Sequence, residues 1–417
     1  MSYSAFDKSF LQNLINNNIS ESKILDYKRD KIGRKDTDKK EFLFDVSSFA
    51  NAVGGNLILG IGEGENEEKG FPKSIEGIDV SNIDDEKLYL EQLIYTGIEP
   101  KIFGITIHFI ELDNKNKYVI VINIPKSYSS PHMVTFNKTN KFYTRNFGGK
   151  VLLDVSELRN MFGLQQSQIQ WIKNFRVDRI SKIVSDDTPL PLYSNPCILI
   201  YIVPLNAYNN QNTIDLTNFD NWNNWLKTVS DIQGRDIKTQ NGKYNFDGFI
   251  CYGGYYSDMY NRSNMNIPSE YHSPEYTQIF RNGMIEAIWS YPFFAAAKRQ
   301  EYRIPGALFE EGLINAISYY LRRLNKIGIQ PPLYVMLTLI RMSKFKMVLS
   351  QNEGTPNFDK DIIIIPETTI NNYNEDITKL LKESFDIIWN TVGQKGSIYY
   401  DEDNNRIDTS QLWRLRY

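Results

Sequence analysis

Cysteine and histidine are scarce in this chain, and their scarcity removes several kinds of chemistry at once. Only Cys197 and Cys251 occur in 417 residues. That excludes a disulfide framework and a cysteine-rich zinc site, and it suits a reducing compartment. The three histidines, His108, His132 and His272, lie far apart and show no ligand spacing, so a histidine-based zinc centre is not expected either. Long apolar runs are missing as well. The longest, such as Cys197 to Val203, fall well short of the roughly 18 residues that a membrane span needs. No basic segment followed by an apolar core opens the sequence, so no secretory signal is visible. The expectation is a soluble, cytoplasmic protein with no membrane partner. An excess of one charge is also lacking: 47 Lys and Arg stand against 50 Asp and Glu, for a net charge of -3. A nucleic acid would therefore have to be met by a local basic patch. No Walker A lysine pattern occurs, so ATP hydrolysis of the P-loop kind is unsupported.

What is present begins with length, since 417 residues exceed one ordinary core and imply two domains. Phe6, Phe10, Leu14 and Ile15 recur at helical spacing, with Ser4 as the expected cap of a lead-in helix ending at Asn16 to Asn18. Ile24 to Lys28 reads as a short strand, followed by a loop dense in positive charge. Asp38 is the expected cap of a helix through Ala52, whose Phe42, Val46, Phe49 and Ala50 form one apolar stripe. Gly54 and Gly55 turn the chain into a strand over Asn56 to Ile61, and the acidic stretch from Gly64 to Gly70 reads as an exposed hairpin end. Asp84 to Tyr95 is an expected helix. Ile105–Leu112 and Tyr118–Ile124 make a hairpin across a polar turn. Phe142 to Arg145 is a last short strand, and Ser156 opens a helix through Phe162. These elements make an α+β domain over residues 1–164 with a mixed sheet and flanking helices. Residues 165–417 begin with a connecting helix, Gln165 to Val177. Strands (Cys197–Val203, Phe249–Tyr252, Ile362–Ile365) then alternate with helices (Phe309–Asn325, Ile377–Val392) in a second α+β domain. Trp222, Trp225, Trp289 and the aromatics from Tyr252 to Tyr260 are expected to build its core.

The chemistry concentrates between Glu21 and Glu63. Asp26 and Lys28 are two apart on a strand and so point to one side of the sheet. A carboxylate beside a lysine is an arrangement suited to cutting phosphodiesters: the carboxylate holds a divalent cation, and the lysine meets the attacking water or the phosphate charge. Glu63 ends the second strand and reaches the same ion if the two strands are neighbours, while Glu21 stands just before the first, where a bend at Ser22 would turn it inward. On spacing alone the default reading is solvated acids at strand ends, with Lys28 discouraging edge pairing. The run Lys28, Arg29, Lys31, Arg34, Lys35, Lys39 and Lys40 is the best nucleic-acid surface, extended by Lys141 and Arg145. Tyr27 and Tyr143 are candidates for base stacking. Gly60-Ile61-Gly62-Glu63-Gly64 hints at a phosphate-binding loop but lacks the third glycine and the following helix of the dinucleotide fingerprint.

The order Glu21-Ser22-x-x-Leu25-Asp26-Tyr27-Lys28, then Phe49-Ala50-Asn51-Ala52-x-Gly54-Gly55-x-Leu57-Ile58-Leu59-Gly60-Ile61, resembles the core of the Schlafen domain, also called AlbA_2. Ile124-Pro125 with Pro131-His132, and Phe142-Tyr143-Thr144-Arg145 before Glu157-Leu158, resemble its closing segments. The resemblance covers residues 1 to about 164, while the rest resembles nothing recognised. It implies a metal-dependent endoribonuclease acting on tRNA or other structured RNA. The acidic trio falls on Glu21, Asp26 and Glu63, with Lys28 as the assisting lysine and Mg²⁺ or Mn²⁺ as the ion. Asp26 replaces the commoner Glu, and Glu63 the commoner Asp. A role as a toxin-like or antiviral effector follows from the same resemblance. So does a homodimer or higher oligomer, or a C-terminal domain that completes the RNA groove, with a protein or ligand trigger at that domain. The alternative is a non-catalytic nucleic-acid-binding regulator built on the same lobe.

Overall fold

The computed structural model describes residues 6–64, 70–113, 116–146, 148–190, 192, 196–209, 214–218, 225–229, 240–253, 275–290, 302–349 and 354–408. The chain divides into two compact units, Met1–Ile169 and Gln170–Tyr417, each of the α+β class.

In unit 1, α1 (Lys8–Asn16) is capped by Asp7, whose Oδ1 accepts the Phe10 N–H at 2.9 Å. The expected cap, Ser4, lies outside the described residues. Strand β1 (Leu25–Lys28) runs parallel to β2 (Gly54–Leu59), with Asp26 opposite Leu57. Between them α2 (Asp36–Asn51) makes the crossover. It starts three residues earlier than expected, with Lys35 in place of Asp38 as its N-cap and no side-chain bond supplied there. Asp38 instead adds negative charge to the first turn, where the helix dipole favours it.

The run Asn56 to Ile61 is not one strand. It breaks at Gly60, whose φ of +97° is a left-handed conformation that favours glycine. Its N–H still donates to Lys28 O at 2.7 Å, while its carbonyl accepts the N–H groups of Glu76 and Gly77, each at 3.0 Å. A short β3 (Ile61–Glu63) follows, pairing with β4 (Pro72–Ile75) away from the main sheet. After β5 (Ile78–Asp79) comes α3 (Ile83–Gly97), capped by Asn82. Next are β6 (Ile98–Glu99), β7 (Thr106–Glu111) and β8 (Lys117–Pro125), the last two paired antiparallel as expected. The main sheet runs β1-β2-β8-β5, with β7 also on β8, so β1 is an edge.

Side-chain alternation gives this sheet two buried faces. Leu25, Tyr27, Ile58, Val119 and Val121 pack with Phe10, Leu11 and Leu14 of α1. On the other face Leu57, Leu59, Ile120 and Ile122 pack with Phe42, Val46 and Phe49 of α2 and Leu90 and Ile94 of α3. Each such fully buried side chain is worth about 1.5–3 kcal/mol. A second small sheet, β11-β10-β9-β6, adds β9 (Met133–Val134), β10 (Lys141–Asn146) and β11 (Gly149–Leu152).

The two helices expected around residues 156–177 are one, α4 (Val155–Val184). It opens with a reciprocal cap: Glu157 N–H donates to Asp154 Oδ1 at 2.8 Å, and Asp154 N–H donates to Glu157 Oε2 at 2.9 Å. Gly163 alone costs about 1 kcal/mol in a helix, too little to interrupt it. The division between the units falls inside α4.

Unit 2 is built on an eight-stranded sheet that contains Cys197–Pro204, Gly248–Gly253, Leu333–Ile340 and Ile362–Ile364. Helix Gly306–Lys326 packs on it, with Trp289, Phe309 and Tyr320 buried in the core. Trp225 is buried there too, while Trp222 and residues 254–274 lie outside the described residues. The helix expected over Ile377–Val392 is two, Ile377–Leu380 and Lys382–Asn390. No described helix is long and apolar enough to cross a membrane.

Candidate functional site

The site grows from the open edge of the main sheet. Successive residues of β1 face opposite sides, so Leu25 and Tyr27 go to the α1 core while Asp26 and Lys28 face α2 and β10. Tyr27 is wholly buried and donates its hydroxyl to Ile19 O at 2.8 Å. It is a core residue and so not available for base stacking. An edge strand leaves outward N–H groups without a partner, and here Glu21 supplies one: its Oε1 accepts the Tyr27 N–H at 2.8 Å.

Glu63 ends β3, a different short strand from the one expected. It is tied to Glu21 through Gly70, whose N–H donates to Glu63 Oε2 at 3.2 Å while its carbonyl accepts the Glu21 N–H at 2.7 Å. Gly70 has φ +82°, again a glycine conformation. Residues 65–69, the acidic stretch expected as an exposed hairpin end, lie outside the described residues. Gly62 lies in β3, and the Gly64 N–H donates to Phe71 O beside β4, so among the described residues these glycines do not lead into the helix that a dinucleotide loop needs.

The carboxylates feel one another. Burial lifts the Glu21 carboxyl to about 7; the charges of Asp26 and Glu63 add to the rise, and the Tyr27 N–H and Lys28 oppose it. Burial also acts to raise Asp26, but Lys28 and Arg145 outweigh it and hold that carboxyl below its usual value. Lys28 Nζ is 2.8 Å from Asp26 Oδ1, and Arg145 Nη2 is 2.6 Å from Asp26 Oδ2. Burial works against the charge of Lys28, yet Asp45 and Asp26 together raise its pKa.

Arg145 was expected on the RNA-binding surface, and the structure corrects this. Its side chain is 2% exposed, with the guanidinium 4.1 Å from the Phe49 ring centre. It neutralises Asp26 from β10. That strand is itself held by Asn51 of α2, whose Nδ2 donates to Tyr143 O at 2.8 Å and to His132 O at 2.9 Å. Tyr143 is half-buried and its ring lies 4.3 Å from that of Phe44.

The other basic residues divide into two groups. Arg29 is paired with Glu76 at 3.3 Å. Lys31 and Arg34 share Glu86, at 3.7 and 3.4 Å, with Arg34 also over the Tyr89 ring. Lys39 reaches Asp36 at 3.8 Å. Lys35 and Lys141 are exposed and Lys40 is half-buried; among the described residues no ion pair within 4 Å holds any of these three.

Two residues at the site were missed from the sequence. Asp45, 3% exposed in the middle of α2, lies 3.0 Å from Lys150 Nζ, 3.9 Å from Lys28 Nζ and 4.0 Å from Arg145 Nη1. Burial pushes its carboxyl up, against the pull of Lys28 and Lys150. The available signal was an acid three residues after Phe42 and four before Phe49, on the apolar stripe itself. Lys150 joins Asp45 to Glu41 at the surface.

Carboxylate oxygens are the right donors for a hard divalent ion, and a cation would offset both the burial that raises Glu21 and the repulsion that adds to it. The donors fit in kind. They are not assembled: Asp26 is occupied by two protein cations, and among the described residues no three His, Cys, Asp or Glu side chains group closely enough to hold a metal.

Solved structures with some likeness include the DIP2311 protein from Corynebacterium diphtheriae, 17% identical over 37% of this chain, with a TM-score of 0.25. This chain covers only 29% of that one. Another is the N-terminal domain of an ATP-dependent DNA helicase RecG-related protein from Nitrosomonas europaea, 18% identical over 34% of this chain and 92% of that one, also with a TM-score of 0.25. No curated protein matches. Residues 21–154 match the family model described as Schlafen, AlbA_2, so unit 1 of this chain carries a Schlafen AlbA_2 domain.

Proposed function

We propose that unit 1 is the catalytic lobe of a divalent-metal-dependent endoribonuclease of Schlafen type, acting on tRNA or other structured RNA. The observation that carries this reading is Lys28 Nζ 2.8 Å from Asp26 Oδ1 on the edge strand, beside a Glu21 carboxyl that burial lifts to about 7 and that also feels the charges of Asp26 and Glu63. Glu21 and Glu63 are linked through Gly70, and Lys28 is paired with Asp26 on the edge strand. Glu21, Asp26 and Glu63 are the residues to hold Mg²⁺ or Mn²⁺, which supplies Lewis acidity at a phosphoryl oxygen and a more acidic water. Lys28, with its side chain 42% exposed, offers its ammonium to the phosphate charge. Lys35, Lys40 and Lys141, without a close ion pair among the described residues, meet the RNA backbone, so recognition follows shape more than sequence. Lys31 and Arg34 contribute less, because Glu86 already answers them. In this reading the protein is a toxin-like or antiviral effector. A second copy or unit 2 completes the groove, and a protein or ligand acting on unit 2 is the trigger.

A second reading, a non-catalytic nucleic-acid-binding regulator, draws on one observation: both Asp26 oxygens are already matched by Lys28 and Arg145. The test is incubation with total tRNA in Mn²⁺ or in chelator. The nuclease reading expects metal-dependent fragments that vanish in Glu21→Ala and Asp26→Ala. Retarded but intact RNA, with or without metal, sinks it in favour of the regulator.

A further inference from the structure

A divalent ion on Asp26 would compete with Lys28 and Arg145 for the charge of that one carboxylate, and a buried cation left without a counter-charge is strongly unfavourable. The same two cations have another acid within reach. Lys28 Nζ is 3.9 Å from Asp45 Oδ2 and Arg145 Nη1 is 4.0 Å from Asp45 Oδ1. A move of about 1 Å would bring either to charge-assisted hydrogen-bond distance. Asp45 is fixed on α2, and its third neighbour, Lys150 at 3.0 Å, is itself shared with Glu41. Lys150 can therefore lean on Glu41 as Asp45 takes up another cation.

We propose that Asp45 is a positioning residue, the alternate counter-charge to which Lys28 and Arg145 shift when Asp26 engages a divalent ion. This rests on the reading of Asp26 as a metal-holding residue. In it, Asp45 never touches metal or RNA. It keeps the Lys28 ammonium beside the ion, at hydrogen-bond reach of a phosphate, instead of letting it swing into solvent once Asp26 is lost to it. No atom is transferred; only the pairing of four charged groups changes.

The experiment is a Mn²⁺ titration of the full chain by calorimetry, with wild type, Asp45→Asn, Asp45→Glu and Glu41→Gln. Outer residues that orient metal-holding groups typically change affinity 10- to 100-fold, so Asp45→Asn should raise the Mn²⁺ dissociation constant by about tenfold or more. Asp45→Glu, which keeps the charge, should restore most of it. Glu41→Gln removes an equal charge nearby, and the second partner of Lys150, but no partner of Lys28 or Arg145, so its loss should be clearly smaller than that of Asp45→Asn. With Lys28→Met in the background, the effect of Asp45→Asn should shrink, because one of its two beneficiaries is gone. Equal affinity in Asp45→Asn and wild type overturns the proposal while leaving the metal reading intact. So does an equal loss in Glu41→Gln, which would mean mere charge subtraction. A wild type that binds no Mn²⁺ overturns both.

Discussion

Replacing Arg145 by Met separates a buried structural charge from a surface one. The Arg145 side chain is 2% exposed and its Nη2 is 2.6 Å from Asp26 Oδ2, while Asp26 is itself 5% exposed. Methionine retains much of the aliphatic stem and deletes the guanidinium that lies over Phe49. Removing one member of a buried pair costs about 3–5 kcal/mol, because its partner stays buried and uncompensated. Lys28, 2.8 Å from the other Asp26 oxygen, softens this, so the expected loss is near the lower end, about 3 kcal/mol. Adding Asp26→Asn removes the stranded charge, and the double variant should recover about 1–2 kcal/mol relative to Arg145→Met alone. The chain makes the assay selective, since all six tryptophans lie at Trp171 or beyond. Urea unfolding followed by far-UV circular dichroism therefore reports both units, and tryptophan fluorescence reports unit 2. With a slope of about 2 kcal/mol per molar urea, the unit 1 midpoint should fall by about 1.5 M. The reasoning is refuted by a loss under about 1 kcal/mol, the range of exposed ion pairs, or by a double variant no more stable than the single. Either result would return Arg145 to the surface and to direct contact with RNA.

Burial depresses the pKa of His132 to about 4, so it is uncharged in the fold. The unfolded chain takes up that proton below about 6.5. The fold is thus unpenalised above about 6.5 and loses about 3 kcal/mol as pH falls to about 4. His132→Gln should abolish that part of the acid slope in urea titrations, and an unchanged slope would show that the imidazole is charged or exposed. Lys35→Glu, Lys40→Glu and Lys141→Glu should each weaken RNA binding alike for all sequences and flatten its salt dependence by up to about one unit of log–log slope; a larger effect from Lys31→Glu would contradict the pairing with Glu86. Mn²⁺ at about 100 times its dissociation constant should stabilise the wild type by about 2.7 kcal/mol and Glu21→Ala far less. Equal shifts in scanning calorimetry would place the ion elsewhere.

Much of unit 1 was legible because its elements obey local rules. The alternation in Leu25 to Lys28, the stripe through Phe42, Val46 and Phe49, and the hairpin over Thr106 to Pro125 each declare their period. The errors fall where a local pattern is silent about conformation. Apolar residues run unbroken from Leu57 to Ile61 apart from Gly60, and only the positive φ there shows that the strand ends and a hairpin begins. Nothing in the spelling of residues 155–184 distinguishes one helix from two, because a lone glycine is a weak breaker.

The site was half legible for a different reason. Two-residue spacing brings Asp26 and Lys28 together whatever the rest of the fold does, since both depend only on the pleat of one strand. Arg145 obeys the same alternation, but its strand offers two faces of similar polarity, with Phe142 and Tyr143 both partly exposed. Which face turns inward is decided by Asn51, an amide in α2 far along the chain, through its bonds to Tyr143 and His132. Asp45 shows what pattern-reading discards. A carboxylate on the buried stripe of a helix reads as a blemish, yet an ionisable group is kept there only when opposite charges meet it, as Lys28, Arg145 and Lys150 do here. The polar residue that spoils an apolar face is thus the better guide to this site than the acids at loop ends. Those acids would look the same if they were idle, whereas Asp45 could not stay buried without the cations that Asp26 also uses.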